Sequence, residues 1–286
     1  MREKQNGGSP PRQRTDNRQP TTVNLYLVTS LVAFVVLRLL IPHIRLFGAT
    51  PDMIVFTTIF MAAQILVIRY ICALQVKFAP AGIAFLLSLA AFSGLLFVRR
   101  TMDEAIYLSL ALDITRILTS VFLGYLVSFI LREKNIILPI AAFSAFIDVW
   151  TVTWGPTKQM VTMAPQIVEA VSAPILVPGG GGKVVGFIGP ADLVFLALFF
   201  GAIYKLKMEP ARTFWYVLPF LSLAMLAVTM TDYFTGLPAL VPMAFGVVIA
   251  NFRHFKLSKQ EGWSVAIMSI MLSLALAAHL LHRAAR

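Results

Sequence analysis

Charge is scarce in this chain: 13% of its residues are charged and 58% are hydrophobic, where a soluble domain carries about 25% charged residues. That balance excludes an ordinary water-soluble globule and assigns the chain to a bilayer. Cysteine is nearly absent. Cys72 stands alone among 286 residues, which excludes an internal disulfide and a thiolate metal cluster. The histidines, His43, His254, His279 and His282, are scattered and form no carboxylate-supported ligand pattern, so neither a metal nor a cofactor is expected. Polar stretches long enough for an independent domain are also missing, because apolar runs of about 20 residues use up most of the length. The net charge of +11 comes without a basic face interleaved with aromatics, and nucleic acid is not an expected partner. Lys and Arg gather instead in short loops and a tail, where they orient helices and meet anionic headgroups.

What is present is a succession of apolar runs punctuated by charge, glycine and proline. They predict an all-α, polytopic bundle of about nine transmembrane helices. The helices are expected at residues 23–42, 53–74, 79–98, 105–131, 136–154, 184–204, 213–231, 237–252 and 264–282. Residues 1–22 are polar and basic and are expected to form a disordered tail. With that tail in the cytoplasm, fourteen basic residues fall inside and seven outside, which favours a cytoplasmic N-terminus and an external C-terminus. Residues 155–183 form the longest non-helical stretch, with four prolines and then Gly179 to Gly182 in succession. A loop of that length is usually functional or disordered.

Ionisable residues at membrane depth each cost at least about 2.5–3.5 kcal/mol and need a reason to be there. Asp113 and Arg116 stand at i and i+3 on one helical face and neutralise each other; a structural ion pair is the first reading, a substrate or ion site the second. Asp148, in FSAFIDVWTVTW, and Asp192, in GPADLVFLALFFGAIY, have no basic neighbour within a turn. Each must therefore meet something from another helix or a water-filled cavity. Two carboxylates held close cannot both ionise cheaply, so one keeps a proton while the other stays charged. The charged one can then take a proton from water while the other donates to a carbonyl oxygen.

The context of these aspartates is similar to that of a known family. Gly189, Pro190, Ala191 and Asp192, running on as LVFLALFFGAIYK, resemble the GxGD helix of the presenilin and signal-peptide-peptidase family of intramembrane aspartyl proteases. Ile147-Asp148 stands where that family has a Tyr-Asp pair, and TKQMVTMAP (157–165) is similar to the stretch that follows in archaeal presenilin-like proteins. Gly236-Leu237-Pro238-Ala239-Leu240, continuing as VPMAFG, matches the PAL motif. The order and context agree from about Ile137 to Phe252. The chain then divides into a tail (1–22), N-terminal helices (23–135), a catalytic-type core (136–252) and a closing loop and helix (253–286).

The resemblance implies a presenilin-like bundle in which Asp148 and Asp192 form a catalytic dyad. It implies that Gly189 and Ala191 allow neighbouring helices to approach the dyad, and that Pro238, Ala239 and Leu240 shape the scissile region. Val184 and Val185, after the glycine run, are expected either to offer an extended edge to an unwound substrate or to lead straight into a helix. The implied partners are transmembrane proteins or signal-peptide remnants within the lipid bilayer. Three positions depart from the pattern: Ile147 replaces Tyr, Ala191 replaces the second Gly, and Pro190 interrupts the sixth expected helix. A transporter or ion pathway using the buried charges, and a catalytically silent family member, are the alternatives.

Overall fold

The computed structural model describes residues 20–99, 106–153, 163, 165–230, 238–256 and 258–284. Four long helices come first: α1 (Pro20–Leu40), α2 (Ala49–Ala73), α3 (Phe78–Arg99) and α4 (Ile106–Ser128). They are followed by α5 (Ile137–Thr153), the short α6 (Pro165–Val171), and strands β1 (Ala173–Leu176) and β2 (Val184–Ile188). The remainder is α7 (Pro190–Lys205), α8 (Pro210–Met230), α9 (Leu240–Asn251) and α10 (Lys259–Ala284). The architecture is a helical bundle. Five helical stretches, Thr21–His43, Thr50–Ala73, Phe78–Arg99, Ile106–Ser128 and Lys134–Val152, are long and apolar enough to cross a membrane. Large apolar side chains stand on the outside, as on α3, where Ile83, Leu86, Leu87 and Phe97 are exposed. Such a surface is costly in water and at home in lipid.

Helix α7 is the hub. From Leu196 to Ile203 every residue is buried, the mark of a helix enclosed on all sides, and α2, α4, α5, α8 and α9 pack around it. Small residues set the closest approaches. A Cβ on Gly124 of α4 would collide with the Val194 carbonyl of α7, one on Gly201 would meet Ser128 Oγ at 2.7 Å, and one on Gly246 of α9 would meet Val217 Cα at 2.8 Å. Gly124→Ala is expected to lose about 1–3 kcal/mol of stability through overpacking. Gly94→Ala, where the added methyl meets nothing within 4 Å, is expected to be neutral. Thermal unfolding of both variants in detergent micelles checks the pair, and equal midpoints contradict the α4–α7 packing described here.

Helix ends follow local chemistry. Gln75 (φ 48°) and Lys207 (φ 51°) close α2 and α7 in the left-handed conformation, as αL caps do. At the start of α2, the Asp52 carboxylate accepts the backbone N–H groups of Leu46 and Phe47, each at 2.9 Å. One end of the bundle is tied by side chains: Tyr125 Oη donates to Val76 O, Lys205 Nζ to Phe129 O, and Asn135 Nδ2 to Lys256 O. The Glu209 N–H donates to Asn251 Oδ1. The connectors after α2, α4, α7 and α9 therefore lie together at that end.

Four expectations need correction. The first described helix begins at Pro20 rather than 23, so the expected tail is shorter than drawn; residues 1–19 lie outside the described residues. The expected helix 184–204 begins six residues late, because Val184–Ile188 pairs with β1 and Pro190 sits at the first helical position. Proline is pre-organised for that position, so it starts the helix and does not interrupt it. The stretch expected to be a non-helical loop holds α6 and β1. The final helix also starts earlier than expected, at Lys259.

Candidate active site

Three helix ends meet where the acidic residues lie. Asp148 is in the last turns of α5, Asp192 in the first turn of α7, and Pro238 and Ala239 lead into α9. Asp148 Oδ2 accepts the backbone N–H of Leu240 at 2.8 Å. That N–H belongs to the first turn of α9 and has no partner within its own helix, so a carboxylate from α5 satisfies it. Asp192 is the third residue of α7, and its Oδ2 folds back to accept the Gly189 N–H at 3.1 Å. Both carboxylates thus sit at helix N-termini, where the aligned peptide dipoles favour negative charge.

The helices that carry the two aspartates meet: α5 touches α7, and α9 touches both. Each residue is half-buried. Among the described residues no lysine, arginine or histidine forms an ion pair with either one. A pair of carboxylates without a counter-ion, partly reachable from outside, can hold a proton between them and a water beside them.

The remaining expected site residues divide. Leu240 is 3% exposed, with Pro238 and Ala239 half-buried beside it; Gly236 and Leu237 lie outside the described residues, as does most of 157–165. Gly189 is the N-cap of α7, and a Cβ there would meet Asp192 Oδ2 at 3.3 Å. The close approach it permits is to its own aspartate and not, as expected, to a neighbouring helix. Ala191, one residue before Asp192, is exposed among the described residues.

Val184 is exposed at the start of β2, which runs antiparallel to β1. The register matches Leu176 with Val184 and Ile175 with Gly186, leaving Val185 as a bulge. The hairpin turn is anchored to the segment after α1. Gly179 N–H donates to Ile41 O at 3.0 Å, Gly181 N–H to Pro42 O at 3.2 Å, and Arg45 Nε to Gly179 O at 3.2 Å. Gly179 and Gly181 have φ of 61° and 63°, a conformation glycine adopts without strain.

Asp113 and Arg116 pair at 2.7 Å, and a second cation joins them: Arg38 Nε of α1 lies 2.6 Å from Asp113 Oδ2. Arg116 Nη2 also donates to Ala170 O of α6 at 3.1 Å, linking this triad to the hairpin side of the bundle. Two features escaped the sequence. One is Arg38, whose place near the end of α1 was the available signal. The other is the Leu240 N–H, a backbone group with no signal of its own. Compared with protein-family models, curated proteins and solved structures, the chain gives no match in any of the three.

Proposed function

We propose that this chain is an intramembrane aspartyl endopeptidase of presenilin-like type, with Asp148 and Asp192 as its dyad. The observation that carries the reading is that α5 and α7, the helices bearing these carboxylates, touch, that neither acid forms an ion pair among the described residues, and that Asp148 is held by the backbone of the PAL segment. The motif order in the sequence supports it independently, and a bundle of about nine spans is the fold it implies.

In the mechanism, one carboxylate takes a proton from a water lying between the pair, and the hydroxide attacks the scissile carbonyl carbon. The protonated partner donates to the carbonyl oxygen, giving a tetrahedral diol. Collapse breaks the C–N bond as a proton passes to the leaving amine. The Leu240 N–H orients Asp148 and leaves its other oxygen for water. Gly189 holds Asp192 in the same way. A transmembrane substrate hides its peptide groups in helical hydrogen bonds, so its helix must open first. Strand β2 leads within one residue to Gly189 and carries exposed Val184 and Phe187, and an opened substrate segment adds to such an edge through main-chain hydrogen bonds. The substrates are single-span proteins or signal-peptide remnants.

Reconstitution in liposomes with a single-span reporter tests the proposal. The expected result is cleavage within the reporter's span, abolished by Asp148→Ala and by Asp192→Ala. Cleavage that survives either substitution removes the dyad. Proton or solute flux abolished by Asp192→Asn, in a chain that cleaves nothing, identifies a transport pathway instead.

A further inference from the structure

Arg69 is a buried cation for which the dyad has no use. It lies about one turn before the end of α2 and is 7% exposed. Its Nε donates to Tyr204 Oη of α7 at 3.3 Å, and its guanidinium carbon stands 5.3 Å from the ring centroid of Tyr70 and 5.9 Å from that of Phe214 on α8. The other two arginines at membrane depth, Arg38 and Arg116, share the Asp113 carboxylate. Among the described residues Arg69 has no carboxylate at all. A guanidinium offers five N–H donors in a planar fork. Tyr204 takes one, and among the described residues the guanidinium makes no other hydrogen bond.

We propose that the cluster of Arg69, Tyr70, Tyr204 and Phe214 binds the phosphate of an anionic phospholipid. A phosphodiester offers two acceptor oxygens that match the fork, and its charge supplies the anion that the fold leaves out. Depth agrees. Trp215, beside Phe214 and 67% exposed, is the residue type that settles at headgroup level, and Tyr26 stacks on Tyr70 at 5.4 Å. Charge agrees as well. The connectors and adjoining helix ends carry Lys77, Arg132, Lys134, Lys205, Lys207 and Arg212 against Glu133 and Glu209, a field that concentrates anionic lipid. The rings on either side give the guanidinium apolar walls against which glycerol and the first acyl carbons pack, which favours a lipid over a free phosphate ion.

The full chain in detergent is titrated with dioleoyl phosphatidylglycerol, dioleoyl phosphatidylcholine and inorganic phosphate, and followed by native mass spectrometry and thermal unfolding. Phosphatidylglycerol is expected to be retained in preference to phosphatidylcholine and to raise the unfolding midpoint. Arg69→Gln is expected to lower that retention by about fivefold or more, the worth of one cation at the membrane surface. Lys183→Gln, at the opposite end, is expected to leave it unchanged. A folded Arg69→Gln chain that keeps phosphatidylglycerol as the parent does overturns the proposal. Should that variant fail to fold, the parent chain alone decides, since equal retention of the two lipids also overturns it. Inorganic phosphate that displaces phosphatidylglycerol and stabilises the chain equally well assigns the cluster to the free ion and overturns the lipid.

Discussion

Asp148→Asn is expected to fold as the parent chain does and to cleave nothing. The asparagine carbonyl can still accept the Leu240 N–H, which Asp148 Oδ2 now takes at 2.8 Å, so the start of α9 keeps its partner. It cannot take a proton from water, and the loss of a general base costs about 10²–10⁴-fold in rate. Asp148→Ala loses the same chemistry and also strands the Leu240 N–H, an unmet buried donor worth about 1–3 kcal/mol. Reporter cleavage and unfolding midpoints, measured on both variants, separate the carboxylate's two roles. If asparagine and alanine lower the midpoint equally, the α5–α9 hydrogen bond has no weight. If Asp148→Asn still cleaves, Asp148 is not the base.

The second large effect concerns Asp113. Its two oxygens are shared between Arg38 and Arg116 at 2.6 and 2.7 Å, and the arginine side chains are 11% and 4% exposed. Asp113→Ala leaves two guanidinium groups facing each other with no carboxylate between them. Breaking a buried ion pair by removing one partner costs about 3–5 kcal/mol, and here both survivors carry the same sign. The Arg116 bond to Ala170 O is expected to go with it, loosening α6 from α4. Replacing all three residues by apolar ones of similar size is expected to recover most of the loss, because the triad's burial is itself costly. Denaturant unfolding in micelles measures both. A change below about 1 kcal/mol in Asp113→Ala, the level of a surface pair, contradicts the buried triad.

Hydropathy was a sound guide wherever a helix is apolar along its whole length. The expected 79–98 became Phe78–Arg99, and 136–154 became Ile137–Thr153. It misled where apolar character continues through a change of backbone. Val184–Ile188 is as hydrophobic as the helix after it, and a short apolar run does not reveal its own period. The cues were Pro190, a residue suited to the first helical position, and the β-branched pair behind a glycine turn. The start of α10 was missed for the opposite reason. Its first turn is polar, although Ser258 followed by Glu261 is a capping-box signature. Within the site, the aspartates were legible because an ionisable side chain in an apolar helix is conspicuous. The PAL segment was legible only as a motif, since its contact with Asp148 is made by a peptide N–H that any residue but proline supplies. The roles expected of Gly189 and Ala191 turned on which way a side chain faces at a helix start, and Pro190 moved that start.

The bond between Asp148 and Leu240 joins positions 92 residues apart, and this separation bears on biosynthesis. A ribosome makes α5 while α9 is still unmade, so the first aspartate waits without its amide partner through the synthesis of α7 and α8. The Asp148–Leu240 contact is completed only when α9 arrives. On the proposed reading, a nascent chain stalled before that point carries both acids and lacks the amide that aims one of them, so it is not yet a working protease.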